Sequence, residues 1–313
     1  MKVARLISEV FGVQTANPNA GVMVENEPGA MTPSIDPHYV FDPDLLKQGL
    51  MWQDERFCEQ NFILTGPTGA GKSSFIEQLC ARLGVQVWRV MCHGRMEFQE
   101  LLGGFKLVAA PGGGTETIWV DGPLIQAARA GGTLLLDEGN FISPAAIGGL
   151  NSVLDGAPIL IPETGELVRP MPGFRVAFTG NAVNGAEDSA SYRGIQRMNM
   201  ALLDRFMTAE VGYMPALQEA ILLNRFFPQL TGDTVQVLVK IANSIRTLHT
   251  QGDIEATMST RVLIRWGKLY LNAPKQLSTP RQRALWAINL AHLRAVRPDE
   301  RMVIEQLVEL EFA

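Results

Sequence analysis

The stretch Gly66-Pro-Thr-Gly-Ala-Gly-Lys72-Ser73 constrains this chain more than any other, because it matches G-x-x-x-x-G-K-[ST] and so dictates a local fold together with a ligand. Asn61-Phe-Ile-Leu-Thr65 before it reads as a buried strand, and Ser74–Leu83 after it reads as a helix. Strand, glycine-rich loop and helix are the context the motif requires. The glycines let successive N–H groups face inward and the helix N-terminus adds partial positive charge, so a polyphosphate is cradled by fixed dipoles. On this reading Gly66, Pro67, Thr68, Gly69, Ala70, Gly71, Lys72, Ser73 and Ser74 bind a nucleotide. Lys72 reaches its β- and γ-phosphates, and the Ser73 hydroxyl ligates Mg²⁺.

A second acidic element says what is done with the nucleotide. Thr133-Leu-Leu-Leu-Asp137-Glu138 is an apolar run ending in two carboxylates. A buried parallel strand has this appearance, and its C-terminal end is where α/β sheets place ligand chemistry. Asp137 would hold the Mg²⁺ shell, and Glu138 would orient and deprotonate an attacking water. The plainer alternative is a strand end followed by a turn at Gly139-Asn140. A third strand, Arg175–Thr179, runs on to Asn181, which would reach the catalytic water or γ-phosphate; a turn asparagine is the alternative there.

Along the chain, residues 1 to about 43 read as an arm: a short helix, then an extended strap set by Pro18, Pro28, Pro33, Pro37 and Pro43, suited to lying on a neighbouring subunit. Strands and helices alternate from about 44 to 212, which implies a parallel-sheet α/β core with strands Asn61–Thr65, Val85–Val90, Thr133–Leu136, Arg175–Thr179 and Met207–Val211. From 213 to 313 apolar residues recur at helical spacing only, giving an all-helical lid subdomain. Lys106–Ala110 and Thr115–Val120 flank a glycine turn and read as a hairpin. Before it, Met96 or Phe98 would be exposed to grip a polypeptide, or would pack on the chain's own sheet.

Bulk properties narrow the class. A net charge of −5 gives no overall reason for nucleic-acid or acidic-membrane binding. The opening residues lack a signal-peptide core and no apolar stretch approaches a membrane span, so the expected location is cytoplasmic. Three cysteines, Cys58, Cys80 and Cys92, form neither an even framework nor a CxxC pair, and read as core or incidental thiols.

Together these motifs resemble the AAA+ ATPases, a P-loop NTPase fold, and within them the MoxR group with a helix-2 insert. Val120–Arg129 leading into Gly131–Glu138 is similar to that group's approach to its acidic strand. Pro158–Arg169 reads as a hairpin interrupting a helix, the insert's position. Tyr192–Asn199, Leu203-Asp-Arg-Phe206 and Ile35–Pro43 look like the CobS-type ATPase subunit of aerobic cobaltochelatase. The resemblance implies ATP and Mg²⁺ as ligands, Asn181 as sensor 1, Arg205 as an arginine finger reaching a neighbouring subunit, and Arg261 as sensor 2 on the lid. Arg205 instead pairing with Asp204 on the surface, Arg193 or Arg197 serving as the finger, and Arg261 as a solvated helix start remain open alternatives. It further implies a homo-oligomeric, hexameric ring that remodels a protein partner carrying a von Willebrand A domain. A nucleic-acid-directed motor of the restriction-GTPase type is the reading from another class, and it lacks an N-K-x-D guanine-reading element here.

Overall fold

Parallel strands buried on both faces read as near-continuous apolar runs, and here three such strands form the centre of one sheet. The computed structural model describes residues 2–54, 56–57, 61–110, 113–181 and 200–312. Cys58 and the 192–199 segment with Arg193 and Arg197 lie outside the described residues, as do Pro111 and Gly112 of the glycine turn. The chain divides into two compact units: Met1–Asp36, Phe41–Gly66 and Lys72–Val211 in the first, and Pro37–Val40, Pro67–Gly71 and Gly212–Ala313 in the second.

The first unit opens with β1 (Lys2–Leu6), α1 (Ile7–Phe11), β2 (Gly21–Glu25) and α2 (Pro43–Gln53). The nucleotide motif lies between β3 (Asn61–Thr65) and α3 (Lys72–Leu83), followed by β4 (Val87–Met91), α4 (Phe98–Leu102), β5 (Gly103–Ala109), β6 (Thr115–Asp121) and α5 (Pro123–Ala130). Then come β7 (Thr133–Asp137), α6 (Pro144–Leu154), β8 (Ile159–Ile161), β9 (Glu166–Val168), β10 (Arg175–Gly180), α7 (Met200–Leu203) and β11 (Met207–Glu210). Five strands form a wholly parallel sheet in the order β11-β3-β10-β7-β4. Every residue of β7 and β10 is buried, whereas the edge strands β4 and β11 carry exposed positions. Leu134, Leu136, Val176 and Phe178 join Leu124, Leu150 and Phe206 in the core on one side of the sheet.

Two expectations are corrected here, the place of the insert hairpin and the course of the arm, and one open alternative is decided. The hairpin at 158–169 forms as β8 and β9, but it follows α6 and precedes β10 without interrupting a helix. The hairpin that splits a helical connection is β5–β6, standing between α4 and α5 on the path from β4 to β7. The arm begins as an antiparallel pair, β1 with β2. The proline-rich stretch after it is bound to its own core: Gln78 donates to Ser34 O at 3.0 Å and accepts from Asp36 N–H at 2.8 Å, Arg82 donates to Asp36 O at 2.9 Å, and Val87 N–H donates to Met31 O at 2.9 Å. An extended segment cannot satisfy its own backbone, and α3 and β4 supply the partners. Met96 is buried and Phe98 half-buried, with Phe98 packed where a side chain on Gly149 of α6 would stand, so this segment lies on its own core.

The second unit is helical: α8 (Ala216–Phe226), α9 (Gly232–Gln251), α10 (Thr260–Leu271), α11 (Pro280–Ala291) and α12 (Pro298–Glu311). Leu238, Ile245, Leu263, Trp266, Ile288 and Ile304 meet in its core. Within that core lies a charge pair. Arg246 donates to both Glu219 oxygens at 2.8 Å and to Met258 O at 2.7 Å, while Thr260 adds a bond to Glu219 at 2.7 Å. Glu219 is 0% exposed. Removing one partner strands a buried charge, so Glu219→Ala should cost about 3–5 kcal/mol in denaturant unfolding. Arg281→Ala, which breaks a half-exposed pair with Glu309, should cost about 0.5 kcal/mol or less. Equal losses in the two variants would contradict this account. Among the described residues, no helix is long and apolar enough to cross a membrane.

Candidate active site

The register of the central strands assembles the site. Gly180 lies level with Thr65, so Asn181 follows β10 where Gly66 follows β3. Phe178 lies level with Leu136, so Thr179 stands beside Asp137. Met91 pairs with Asp137 and Arg89 with Leu135, which puts Arg89 on the same sheet face as Asp137. All these groups therefore collect at the C-terminal ends of the strands, as open α/β sheets require of a ligand site.

The loop after β3 takes backbone that side chains resist. Gly66 has φ 143°, and a Cβ there would lie 2.0 Å from Val211 O. Gly69 has φ 74° and sits against Ser259, the N-cap of α10, whose side-chain oxygen accepts from Val262 N–H. The Tyr213 hydroxyl donates to Thr68 O at 3.3 Å. Arg261 lies exposed on the first turn of α10, two residues beyond that contact.

Lys72 is buried and donates to Gly66 O at 2.8 Å and to Asn181 Oδ1 at 3.1 Å. Burial pushes its ammonium pKa down to about 8, against the opposing pull of Asp137 and Glu138. Ser73 Oγ donates to Asp137 Oδ1 at 2.5 Å, and Thr179 Oγ1 donates to the same oxygen. On Asp137 Oδ2, Arg89 places Nε at 3.0 Å and Nη2 at 2.5 Å. Burial works to raise the Asp137 pKa, but the bonds from Ser73, Thr179 and Arg89 outweigh it and hold the carboxyl below its ordinary range. The Ser73 hydroxyl and Asp137 carboxylate are hard oxygen donors at adjacent positions, a set that fits Mg²⁺.

Glu138 is exposed and is the single non-glycine residue with positive φ among those described, at φ 54° and ψ 42°. Its N–H donates to Thr179 Oγ1 at 3.1 Å. Left-handed backbone costs a side-chain-bearing residue about 1 kcal/mol or more, and here it turns the carboxylate off the strand end into solvent. Asn140, two residues on, is buried with both amide atoms unpartnered.

Arg205 stands elsewhere, in the turn before β11. It pairs with Asp155 at the end of α6, through Nε at 2.6 Å and Nη2 at 3.1 Å, while Asn61 Nδ2 donates to its carbonyl at 2.9 Å. Cys80 and Cys92 are buried free thiols, and burial pushes both pKa values up to about 12. Arg89, Thr179 and Asn140 escaped the sequence reading. A lone arginine inside Val87–Met91 and a lone hydroxyl inside Arg175–Gly180 were the available signals.

The comparisons with known proteins agree with this geometry. A family model described as the AAA domain of the dynein-related subfamily matches residues 61–206, and one described as the CbbQ/NirQ/NorQ C-terminal domain matches residues 218–308. An uncharacterized protein of Staphylococcus haemolyticus is 32% identical over 258 residues, covering 81% of this chain and 91% of the relative. An uncharacterized protein of Staphylococcus aureus is 34% identical over 210 residues, covering 66% and 76%. Two mutant chains of Thermotoga maritima RuvB share the fold at 12% identity, with TM-scores of 0.54 and 0.50; each covers 86% of this chain, which spans 78% and 77% of theirs. The chain belongs to the AAA+ ATPase family, joining an AAA domain to a CbbQ/NirQ/NorQ-type C-terminal domain, a pairing that fits the MoxR-like ATPases.

Proposed function

We propose that this protein is a Mg²⁺-dependent ATPase that works as a hexameric ring and uses turnover to remodel a protein partner. The observation carrying the reading is the bonding of Lys72 to Gly66 O and Asn181 and of Ser73 to Asp137 at the strand ends, with Glu138 next in sequence to Asp137. In this reading the loop Gly66–Ser74 wraps the polyphosphate, Lys72 balances charge on the β- and γ-phosphates, and Ser73 with Asp137 holds the metal. Bound Mg²⁺ supplies a Lewis acid that offsets charge on the β- and γ-oxygens. Glu138 takes a proton from the attacking water as its oxygen bonds to the γ-phosphorus and the bond to the β-bridging oxygen breaks. Asn181 orients that water or the γ-phosphate, and Arg261 takes the sensor-2 role that the MoxR-group resemblance gives it. Arg205 serves the neighbouring subunit.

The partner we propose carries a von Willebrand A domain, on the strength of the MoxR-group resemblance. The exposed hairpins suit contact with other chains: Phe105, Leu107 and Ile118 stand out on β5–β6, and Leu160 and Leu167 on β8–β9. The C-terminal match is to the CbbQ/NirQ/NorQ type, so the reading is set at that level and not narrowed to a cobaltochelatase subunit. Phosphate release by the isolated protein should be slow, require Mg²⁺, and change when the partner is added. Affinity capture of the native protein, followed by rate measurements with each co-purifying protein, checks this. A bare oligomer whose turnover ignores every candidate partner would contradict it.

A further inference from the structure

The carboxylate of Asp137 is saturated. An ionised carboxylate offers about four acceptor positions. Ser73 and Thr179 take Oδ1, and Nε and Nη2 of Arg89 take Oδ2. A water of a metal shell can bond to this group only if one donor leaves. Thr179 is buried in a central strand and also accepts from Glu138 N–H, so it is fixed. Ser73 can keep its donated proton on Asp137 while its lone pairs face a metal. Arg89 is different. It sits on edge strand β4, its side chain is 42% exposed, and its third donor, Nη1, is already on Glu77 of α3 at 3.0 Å.

We propose that Arg89 is a positioning residue that sets the Mg²⁺ dependence of nucleotide binding. Without metal it neutralises Asp137 and holds the carboxylate aligned with Ser73. With metal it swings onto Glu77 and frees Oδ2 for the metal's shell. The inference rests on the nucleotide-site reading above. Two effects give it a sign. A cation beside the loop favours metal-free polyphosphate and disfavours a divalent cation. A guanidinium on Oδ2 also competes directly for the acceptor that the metal's water needs.

The test uses the full-length protein and ADP, which avoids turnover, titrated calorimetrically with Mg²⁺ and again with EDTA. The quantity read is the EDTA Kd divided by the Mg²⁺ Kd. Arg89→Gln should raise this ratio about tenfold, by weakening metal-free binding and strengthening metal-dependent binding. Glu77→Gln should lower it about threefold, because the neutral amide is a weaker alternative acceptor and Arg89 stays on Asp137. Opposite shifts are the signature of the proposed switch. If both dissociation constants move by one common factor in each variant, Arg89 is structural only and the proposal is overturned. Should Arg89→Gln fail to fold, Arg89→Lys carries the test, since a point charge cannot place two donors on Oδ2. Failure of both to fold would also overturn the proposal in favour of a structural role. Wild-type protein whose ADP binding ignores Mg²⁺ would instead remove the underlying nucleotide-site reading.

Discussion

An Arg205→Ala protein should bind ATP with wild-type affinity and turn it over about 10³-fold more slowly, the scale of an arginine finger. The geometry makes this a demand on a neighbour. Arg205 precedes β11 and is bonded to Asn61 at the start of β3, whereas the nucleotide loop leaves the far end of that strand. Four residue steps of strand separate the ends by roughly 13 Å. Arg205 thus lies out of reach of the end of β3 where its own loop begins, so the proposed finger role falls on a neighbouring subunit's nucleotide. The competing view is that it merely braces α6 through Asp155. The two views separate on Asp155→Ala. A brace predicts that this variant copies Arg205→Ala; a finger predicts that turnover stays near wild type, because the guanidinium is only released toward the interface. Matching losses in the two variants would remove the finger role.

Glu138→Gln should leave ATP binding intact and lower turnover by about 10²-fold or more, the weight of a general base. The amide keeps the shape of the side chain and the hydrogen bond from the Glu138 N–H to Thr179, so the metal site beside it is undisturbed. Lys72→Ala should instead lose binding, because the buried ammonium on Gly66 O and Asn181 is the group positioned to meet the phosphates. Equilibrium binding and single-turnover hydrolysis distinguish the two. Equal losses of affinity would contradict the role given to Glu138.

The parallel sheet was legible because strands buried on both faces have no polar side to break their apolar runs. Asn61–Thr65, Thr133–Leu136 and Arg175–Thr179 each show this, and each ends where a polar group enters the site. The helical unit was legible for a similar reason, since helical spacing persists through α8 to α12 with no strand-like stretch between. What sequence order hides is lateral adjacency. Arg89 meets Asp137 only because β4 is placed beside β7, a pairing across a long connection containing two helices and a hairpin. The same gap led the 158–169 hairpin to be assigned the place that β5–β6 occupies. The arm misled for a local reason. Lys2–Leu6 has no alternation strong enough to mark a strand, and its partner Gly21–Glu25 lies beyond a helix and a proline. Asn140 gave no sign at all, because an asparagine after a strand end looks like a turn whether or not it is buried.

A nucleotide site completed across subunits of a ring can be rebuilt by mixing two inactive proteins. Lys72→Ala subunits have a defective pocket and a sound finger; Arg205→Ala subunits have the reverse. In a mixed ring, some Arg205→Ala pockets face a Lys72→Ala neighbour, and those interfaces contain every required group. Phosphate release should therefore reappear in the mixture at a substantial fraction of the wild-type rate and rise to a maximum at intermediate ratios. A mixture that stays inactive while the two proteins demonstrably co-assemble would contradict the claim.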